Sequence, residues 1–248
     1  MKTAFVTGAS SGIGRATAVA LAGAGFQLVI TGRRRERLEE LVTALPGVSV
    51  HILTFDVRDR AAVDAAVASL PTEFQAVDVL VNNAGGAHGL NPIQSGDPAD
   101  WDQMLDSNVR GLLNVTHALL PGMTARQSGF ILNIGSVAGH EAYANGNVYC
   151  ASKAAVAMLT KTMRLDLLPM GIKVAEVNPG AVETEFSQVR FKGDAARAAK
   201  VYEGFEPLRA EDVAEIIVFM VTRPARVTIA EVLVLAGAQG AATTIVRK

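Results

Sequence analysis

Seven short runs rich in β-branched and aromatic residues, separated by segments of helical composition, constrain this 248-residue chain more than any other feature. The runs are KTAFVT, FQLVIT, VSVHILTF, VDVLVNN, GFILNIG, IKVAEVN and IAEVLVL. Their length and composition suit strands. In RRRERLEELVTAL, Leu38, Leu41, Val42 and Leu45 fall at i, i+3, i+4 and i+7, one face of a helix. Helical segments also cover RATAVALAGAG, RAAVDAAVASL, a long stretch from about Pro98 to Leu120, one from about Asn147 to Leu168, and AEDVAEIIVFMVT. Strands that alternate with helices pair in parallel through right-handed crossovers, with helices on both faces. The expectation is an α/β chain: a doubly wound, seven-stranded parallel sheet in a single domain over residues 1–248. Only 180–207 is long and unpatterned, and such loops usually serve a site, so it is expected to carry substrate contacts.

Half of the residues are apolar and 19% are charged, enough for a large core, and the mean hydropathy of +0.28 suits a fully covered parallel sheet. A net charge of -1 gives no general attraction to polyanions, which argues against nucleic acid and anionic membranes as partners. The single cysteine excludes an internal disulfide framework, and MKTAFVTG runs straight into a strand with no basic segment followed by a long apolar one. No run is long enough to cross a bilayer. The expected setting is the cytoplasm and the expected partner a small molecule.

Between the first strand and first helix lies TGASSGIGRAT, with glycines at 8, 12 and 14. A glycine turn that opens a helix brings backbone N–H groups against a pyrophosphate. Three glycines alone also describe an ordinary turn and cap, but the position after strand one of a βαβ unit favours a Rossmann-like dinucleotide site. An acidic residue at the end of strand two would bind a ribose 2'-hydroxyl; this chain has Gly32 followed by Arg33 and Arg34. Guanidinium groups there suit a 2'-phosphate, so NADP is expected rather than NAD. Asp56, at the end of strand three, can accept from an adenine amino group or cap the next helix. VNNAGG, ending strand four, places Asn82, Ala84 and Gly85 where backbone can pack against a flat ligand, or form a turn without chemistry.

Ser136 follows a strand, Tyr149 comes thirteen residues later, and Lys153 lies one helical turn beyond it. Tyrosine is a poor base at its reference pKa of about 10. A lysine cation on the same helical face favours the phenolate, Ser136 can hold a substrate oxygen, and Asn108, a poor helix former inside the long helix, suits a polar task.

TGxxxGxG, NNAG, a mid-helix Asn, Ser136, YCASK and NPG in this order resemble the short-chain dehydrogenase/reductase family, and the resemblance covers the whole chain. It implies a catalytic set of Asn108, Ser136, Tyr149 and Lys153, with Lys153 also holding the nicotinamide ribose. It further implies a pyrophosphate turn of Gly8, Ser10, Ile13 and Gly14, adenine contacts at Asp56 and Val57, and ribose contacts at Asn82 and Ala84. Pro179, Gly180 and Thr184 correspond to the nicotinamide loop. Hydride transfer between NADP and a carbon bearing oxygen is then implied, with Tyr149 exchanging the proton. TGRRRERLEEL, GNVYCASKA and TEFSQVRFKGD resemble, more narrowly, the NADP-dependent 3-hydroxy acid dehydrogenases that act on serine and allo-threonine. Arg190 is the candidate for a substrate carboxylate, which a guanidinium matches, or is a surface arginine in a loop. The alternatives are reduction of a 3-oxoacyl thioester or another carbonyl, and a non-catalytic NADP-sensing protein. His88 and His140 have no partner at metal-ligand spacing, so no metal is expected. The helix from Asn147 is apolar over more than one face, and the family commonly forms homotetramers through its long helices and last strand.

Overall fold

The computed structural model describes residues 1–248. All seven strands are parallel, in the order β3-β2-β1-β4-β5-β6-β7. They are β1 (Thr3–Val6), β2 (Gln27–Gly32), β3 (Val50–Thr54), β4 (Val77–Asn82), β5 (Gly129–Ile134), β6 (Ile172–Pro179) and β7 (Glu231–Val234). The helices are α1 (Gly12–Gly23), α2 (Arg35–Thr43), α3 (Arg60–Ala68), α4 (Pro98–Leu105), α5 (Gly111–Arg126), α6 (Asn147–Leu167), α7 (Phe186–Arg190), α8 (Ala195–Lys200) and α9 (Ala210–Val221).

Alternation along each strand builds a core on either face of the sheet. Ala4, Val6, Leu28, Ile30, Val79, Val81, Leu132 and Val177 pack with Leu21 of α1, Leu38 and Leu41 of α2 and Ile217 of α9. Phe5, Val29, Leu80, Ile131 and Val174 point the other way, onto Val63 of α3, Leu119 and Met123 of α5 and Leu167 of α6. Most of these side chains are fully buried, and each contributes roughly 1.5–3 kcal/mol relative to exposure.

Strand order reverses between β1 and β4, so the segments that leave these two strands diverge and open a crevice at their carboxyl ends. The two segments are stitched together there. The backbone N–H groups of Asn83 and Ala84 each donate to Thr7 Oγ1 at 2.9 Å, and Asn83 Nδ2 donates to the carbonyls of Thr7 and Gly8 at 2.9 and 3.2 Å.

Two segments differ from expectation. The helix expected from about Pro98 to Leu120 is α4 and α5 joined by a π turn over Asp106–Arg110, in which Gly111 N–H reaches back to the Asp106 carbonyl. It also continues through Pro121 to Arg126, because buried Met123 and an Arg126 Nη2 bond of 2.6 Å to the Val77 carbonyl hold the last turns despite the missing N–H. The segment 180–207 is not irregular throughout: it contains α7 and α8, and Asp194 caps α8 by accepting from Arg197 N–H at 3.0 Å.

Candidate active site

A cleft of about 780 Å³ runs along the carboxyl ends of the strands and is walled by the glycine turn, the ends of β2 to β6, the start of α6 and a lid formed by α7 with Val201 and Tyr202. At one end lies the turn after β1. Gly8 and Gly12 adopt φ of +66° and +51°, the left-handed region that side chains disfavour. A Cβ at Gly14 would collide with the Gly8 carbonyl and the Asn83 amide. Only glycine fits, because α1 packs directly on the turn that precedes it. Ser11 leads into α1 with an extended backbone and no side-chain cap, so the first-turn N–H groups remain available to an anion.

Arg33 and Arg34 stand at the edge of this end of the cleft. The Arg33 side chain is 72% exposed, with Nη1 3.9 Å from Asp56 Oδ2. Arg34 Nη2 donates to Ser10 Oγ at 3.3 Å and to Glu185 Oε2 at 3.0 Å, linking the glycine turn to the segment that leads into α7. Asp56 accepts from the backbone and guanidinium of Arg58, which holds its carboxyl below the usual carboxylate range, and Asp59 rather than Asp56 caps α3. Ile13, Val57, Ala84, Pro179, Gly180 and Thr184 all line the cleft. Asn82 does not. Its Nδ2 donates to Thr116 Oγ1 at 2.9 Å and Asn133 Oδ1 at 3.0 Å beneath the floor, while the next residue, Asn83, both lines the cleft and ties the glycine turn. Side chains alternate along a strand, so a one-residue step exchanges floor for cleft; the doubled Asn in the sequence hides that register.

The other end of the cleft holds Ser136, Tyr149 and Lys153. Ser136 follows β5, where its N–H donates to Asn178 Oδ1 at 3.0 Å and its Oγ accepts from Ala138 N–H at 3.1 Å. Tyr149 sits in the first turn of α6, packed with Ala87, Met104 and Ala138. Burial pushes the Tyr149 phenol up to about 12, against the downward pull of the nearby Ser136 hydroxyl and of the Arg190 charge. Lys153, one turn further, is buried and donates from Nζ to the Ile134 carbonyl at 2.8 Å; burial lowers it to about 8. The charge that acts on Tyr149 here is therefore Arg190, and Lys153 faces the end of β5.

Asn108 lies in the π turn, buried, and does not reach the cleft surface. Its Oδ1 accepts from Gly86 N–H at 2.8 Å, and Nδ2 donates to the Gly86 carbonyl at 2.9 Å and Ser152 Oγ at 3.0 Å. One amide thus fixes the loop after β4 against α6. A Cβ at Gly85 would lie 2.5 Å from Asn108 Oδ1, which explains the small residue there.

Arg190 at the end of α7 reaches across the cleft. Its Nη2 donates to Tyr143 Oη at 3.0 Å, Nε donates to the Gly89 carbonyl at 3.3 Å, and its own carbonyl accepts from Gly89 N–H at 2.9 Å. The guanidinium lies over the rings of Tyr143 and Tyr149. Lys192 fastens the same lid to the far wall, 3.0 Å from Asp100 and 3.6 Å from Asp97. Tyr143 and Asn83 were not distinguished in the sequence. Tyr143 carries no spacing signal relative to Tyr149, since only the turn before α6 brings them together. His88 lines the cleft, where burial lowers its proton affinity, and His140 pairs with Glu231 at 3.1 Å outside it. Cys150 is buried beside Tyr149.

Fold and site together define a nucleotide-dependent oxidoreductase of the doubly wound kind. Residues 2–195 match the short chain dehydrogenase family model. A sulfoacetaldehyde reductase of Chromohalobacter salexigens is 48% identical over 227 residues, covering 91% of this chain and 90% of that protein. An NADP-dependent 3-hydroxy acid dehydrogenase of Schizosaccharomyces pombe is 43% identical over 100% of this chain and 97% of its own. Among solved structures, the closed form of serine dehydrogenase complexed with NADP+ superposes with a TM-score of 0.94 at 42% identity, covering 99% of both chains. The chain belongs to the short-chain dehydrogenase family.

Proposed function

We propose that this protein is an NADP-dependent dehydrogenase of short 3-hydroxy acids. The observation that carries the substrate class is the guanidinium of Arg190 beside the Tyr149 ring, 5.5 Å from its centre, in a cleft that also holds Ser136. A cation that close to an acid/base phenol sets an anionic group a short distance from the reacting oxygen, as in a hydroxy acid of two or three carbons. The glycine cradle and the uncapped start of α1 fit the pyrophosphate of NADP, and Arg33 with Arg34 fit its 2'-phosphate. Both relatives named as NADP proteins above agree with that cofactor.

When bound, NADP supplies or accepts the hydride. Ser136 holds the substrate oxygen, and Tyr149 takes its proton in oxidation or returns it in reduction. Arg190 binds the acid group and, by its charge, makes the phenolate more accessible. Lys153 presents a buried cation at the end of β5, and Asn108 keeps the loop after β4 closed on α6.

A second reading follows from the sulfoacetaldehyde reductase likeness: a sulfonate meets a guanidinium as a carboxylate does, and 2-hydroxyethanesulfonate matches 3-hydroxypropionate in length. Initial rates of NADP reduction with L-serine, L-allo-threonine, 3-hydroxypropionate and 2-hydroxyethanesulfonate test both readings, with acetoacetyl thioester reduction as the contrasting reaction. Turnover of a carboxylate supports the first, and turnover of the sulfonate alone supports the second. Activity only with the thioester overturns both.

No helix is long and apolar enough to cross a membrane. Met158, Leu165 and Leu168 of α6 and its continuation, with Leu113 of α5, are exposed. We assign these faces to a cytoplasmic homotetramer; light scattering that finds only monomer at micromolar concentration rejects it.

A further inference from the structure

Glu176 lies within β6, facing α6, at 1% exposure, and its Oε1 has no hydrogen-bond partner. A buried carboxylate left unpaired is costly and calls for a role. Its carboxyl presses on Gly135, where a Cβ would collide with Glu176 Oε1 and Asn178 Oδ1. Gly135 stands between Ile134, whose carbonyl accepts from Lys153 Nζ, and Ser136, whose N–H donates to Asn178. Glu176 therefore lies against the backbone that anchors both Lys153 and Ser136. Charged groups act on it from α6, namely Lys153, Lys161 and Arg164, and from β7, namely its register partner Glu231, whereas β5 sets only Asn133 opposite it. Asn178 Nδ2 donates to Glu231 Oε1 at 3.3 Å, and the same oxygen lies 3.1 Å from His140 Nε2 at the protein surface.

We propose that Glu176 is a positioning residue whose buried carboxylate sustains the protonated state of Lys153, and that Glu231 acts on that carboxylate from β7. The inference rests on placing Lys153 in the reacting site. Burial lowers Lys153 to about 8 while the Glu176 charge resists that fall. Burial, joined by the Glu231 charge, raises Glu176 to about 7, against the pull of Lys153, Lys161 and Arg164. The two shifts converge, so the charge state of each group depends on that of the other, and the Glu176 charge acts on Lys153 only above the Glu176 midpoint. Removing the Glu176 charge brings the loss of the Lys153 cation to lower pH.

The test is an NMR titration of the full-length protein with 13C-labelled lysine and glutamate. In Glu176→Gln the Lys153 midpoint falls by about one pH unit. By reciprocity the Glu176 midpoint rises in Lys153→Met, a readout that needs no turnover. Glu231→Gln, outside the reacting site, lowers the Glu176 midpoint and leaves turnover above both midpoints within about two-fold. An unmoved Lys153 midpoint in Glu176→Gln overturns the proposal. Should that variant not fold, a wild-type Glu176 that titrates in the ordinary carboxylate range, or is indifferent to Lys153→Met, overturns it equally. If Lys153→Met instead keeps full turnover while the two titrations remain coupled, the placement of Lys153 in the reaction fails and the coupling stands.

Discussion

The guanidinium carbon of Arg190 lies 5.5 Å from the centre of the Tyr149 ring, although the two residues come from different elements 41 positions apart. Arg190 also reaches Tyr143 Oη, so a carboxylate that enters the cleft meets a guanidinium already oriented. Charge-assisted bonds of this kind contribute about 1.5–3 kcal/mol. Arg190→Ala is accordingly expected to raise the KM for a hydroxy acid by roughly 10- to 100-fold, with NADP affinity unchanged. Steady-state kinetics on a charged and an uncharged alcohol check it: equal losses on both substrates would show that Arg190 holds the lid rather than the acid.

Tyr149→Phe removes one oxygen from a buried site and leaves its packing. Proton transfer by a positioned side chain is worth about 10²- to 10⁴-fold, so kcat should fall by that factor while fluorescence titration finds NADP binding intact. The pH dependence has a defined sign. The phenol is pushed up to about 12 by burial and pulled down by Ser136 and Arg190, so oxidation accelerates as pH rises toward that value. In Arg190→Ala one of the two opposing influences is gone, and the rise moves to higher pH. A profile that moves to lower pH, or does not move, would contradict the assignment of the base.

The cofactor assignment turns on two exposed guanidinium groups. Arg33 has only a 3.9 Å approach to Asp56, whereas Arg34 is already engaged by Glu185 and Ser10, so Arg33 is the freer of the two to meet a 2'-phosphate. Arg33→Asp places a carboxylate beside that phosphate and should lower the NADP over NAD ratio of kcat/KM by two orders of magnitude or so. Because the groups are exposed, the wild-type preference should also weaken as ionic strength rises. A ratio unchanged in Arg33→Asp assigns the phosphate elsewhere.

Much of this was legible before any coordinates. The seven apolar runs became the seven parallel strands, because a strand buried on both faces has to be apolar throughout, and that requirement is written locally. Ser136, Tyr149 and Lys153 do share one cleft, since strand end, helix start and helical spacing fix them with little help from the rest. What was not legible depends on partners distant in sequence. The π turn at Asn108 satisfies Gly86 and Ser152, residues 22 and 44 positions away, so no helical pattern in its own segment betrays it. Pro121 reads as a stop, and only the burial of Met123 and the Arg126 bond to β4 carry the helix past it. Likewise the relation of Arg190 to Tyr143 exists only once α7 folds back over the cleft.

Asn82 and Asn83 offer a test of register, since they are adjacent and chemically identical yet face different surroundings. Asn83 Nδ2 holds the Thr7 and Gly8 carbonyls, whereas Asn82 Nδ2 holds Thr116 and Asn133 in a polar link between β4, β5 and α5. Either truncation leaves partners unsatisfied and should cost about 1–3 kcal/mol, lowering the melting temperature by several degrees in a chain of this size. Their effects on cofactor binding should diverge. In Asn83→Ala the glycine turn loses its brace and the Kd for NADP should rise about ten-fold, while in Asn82→Ala it should stay within about two-fold, because those bonds lie under the floor of the cleft. Calorimetric titration with NADP, run beside thermal unfolding without it, separates the two. Equal loss of affinity in both variants would mean that the turn is held by the sheet as a whole and not by Asn83.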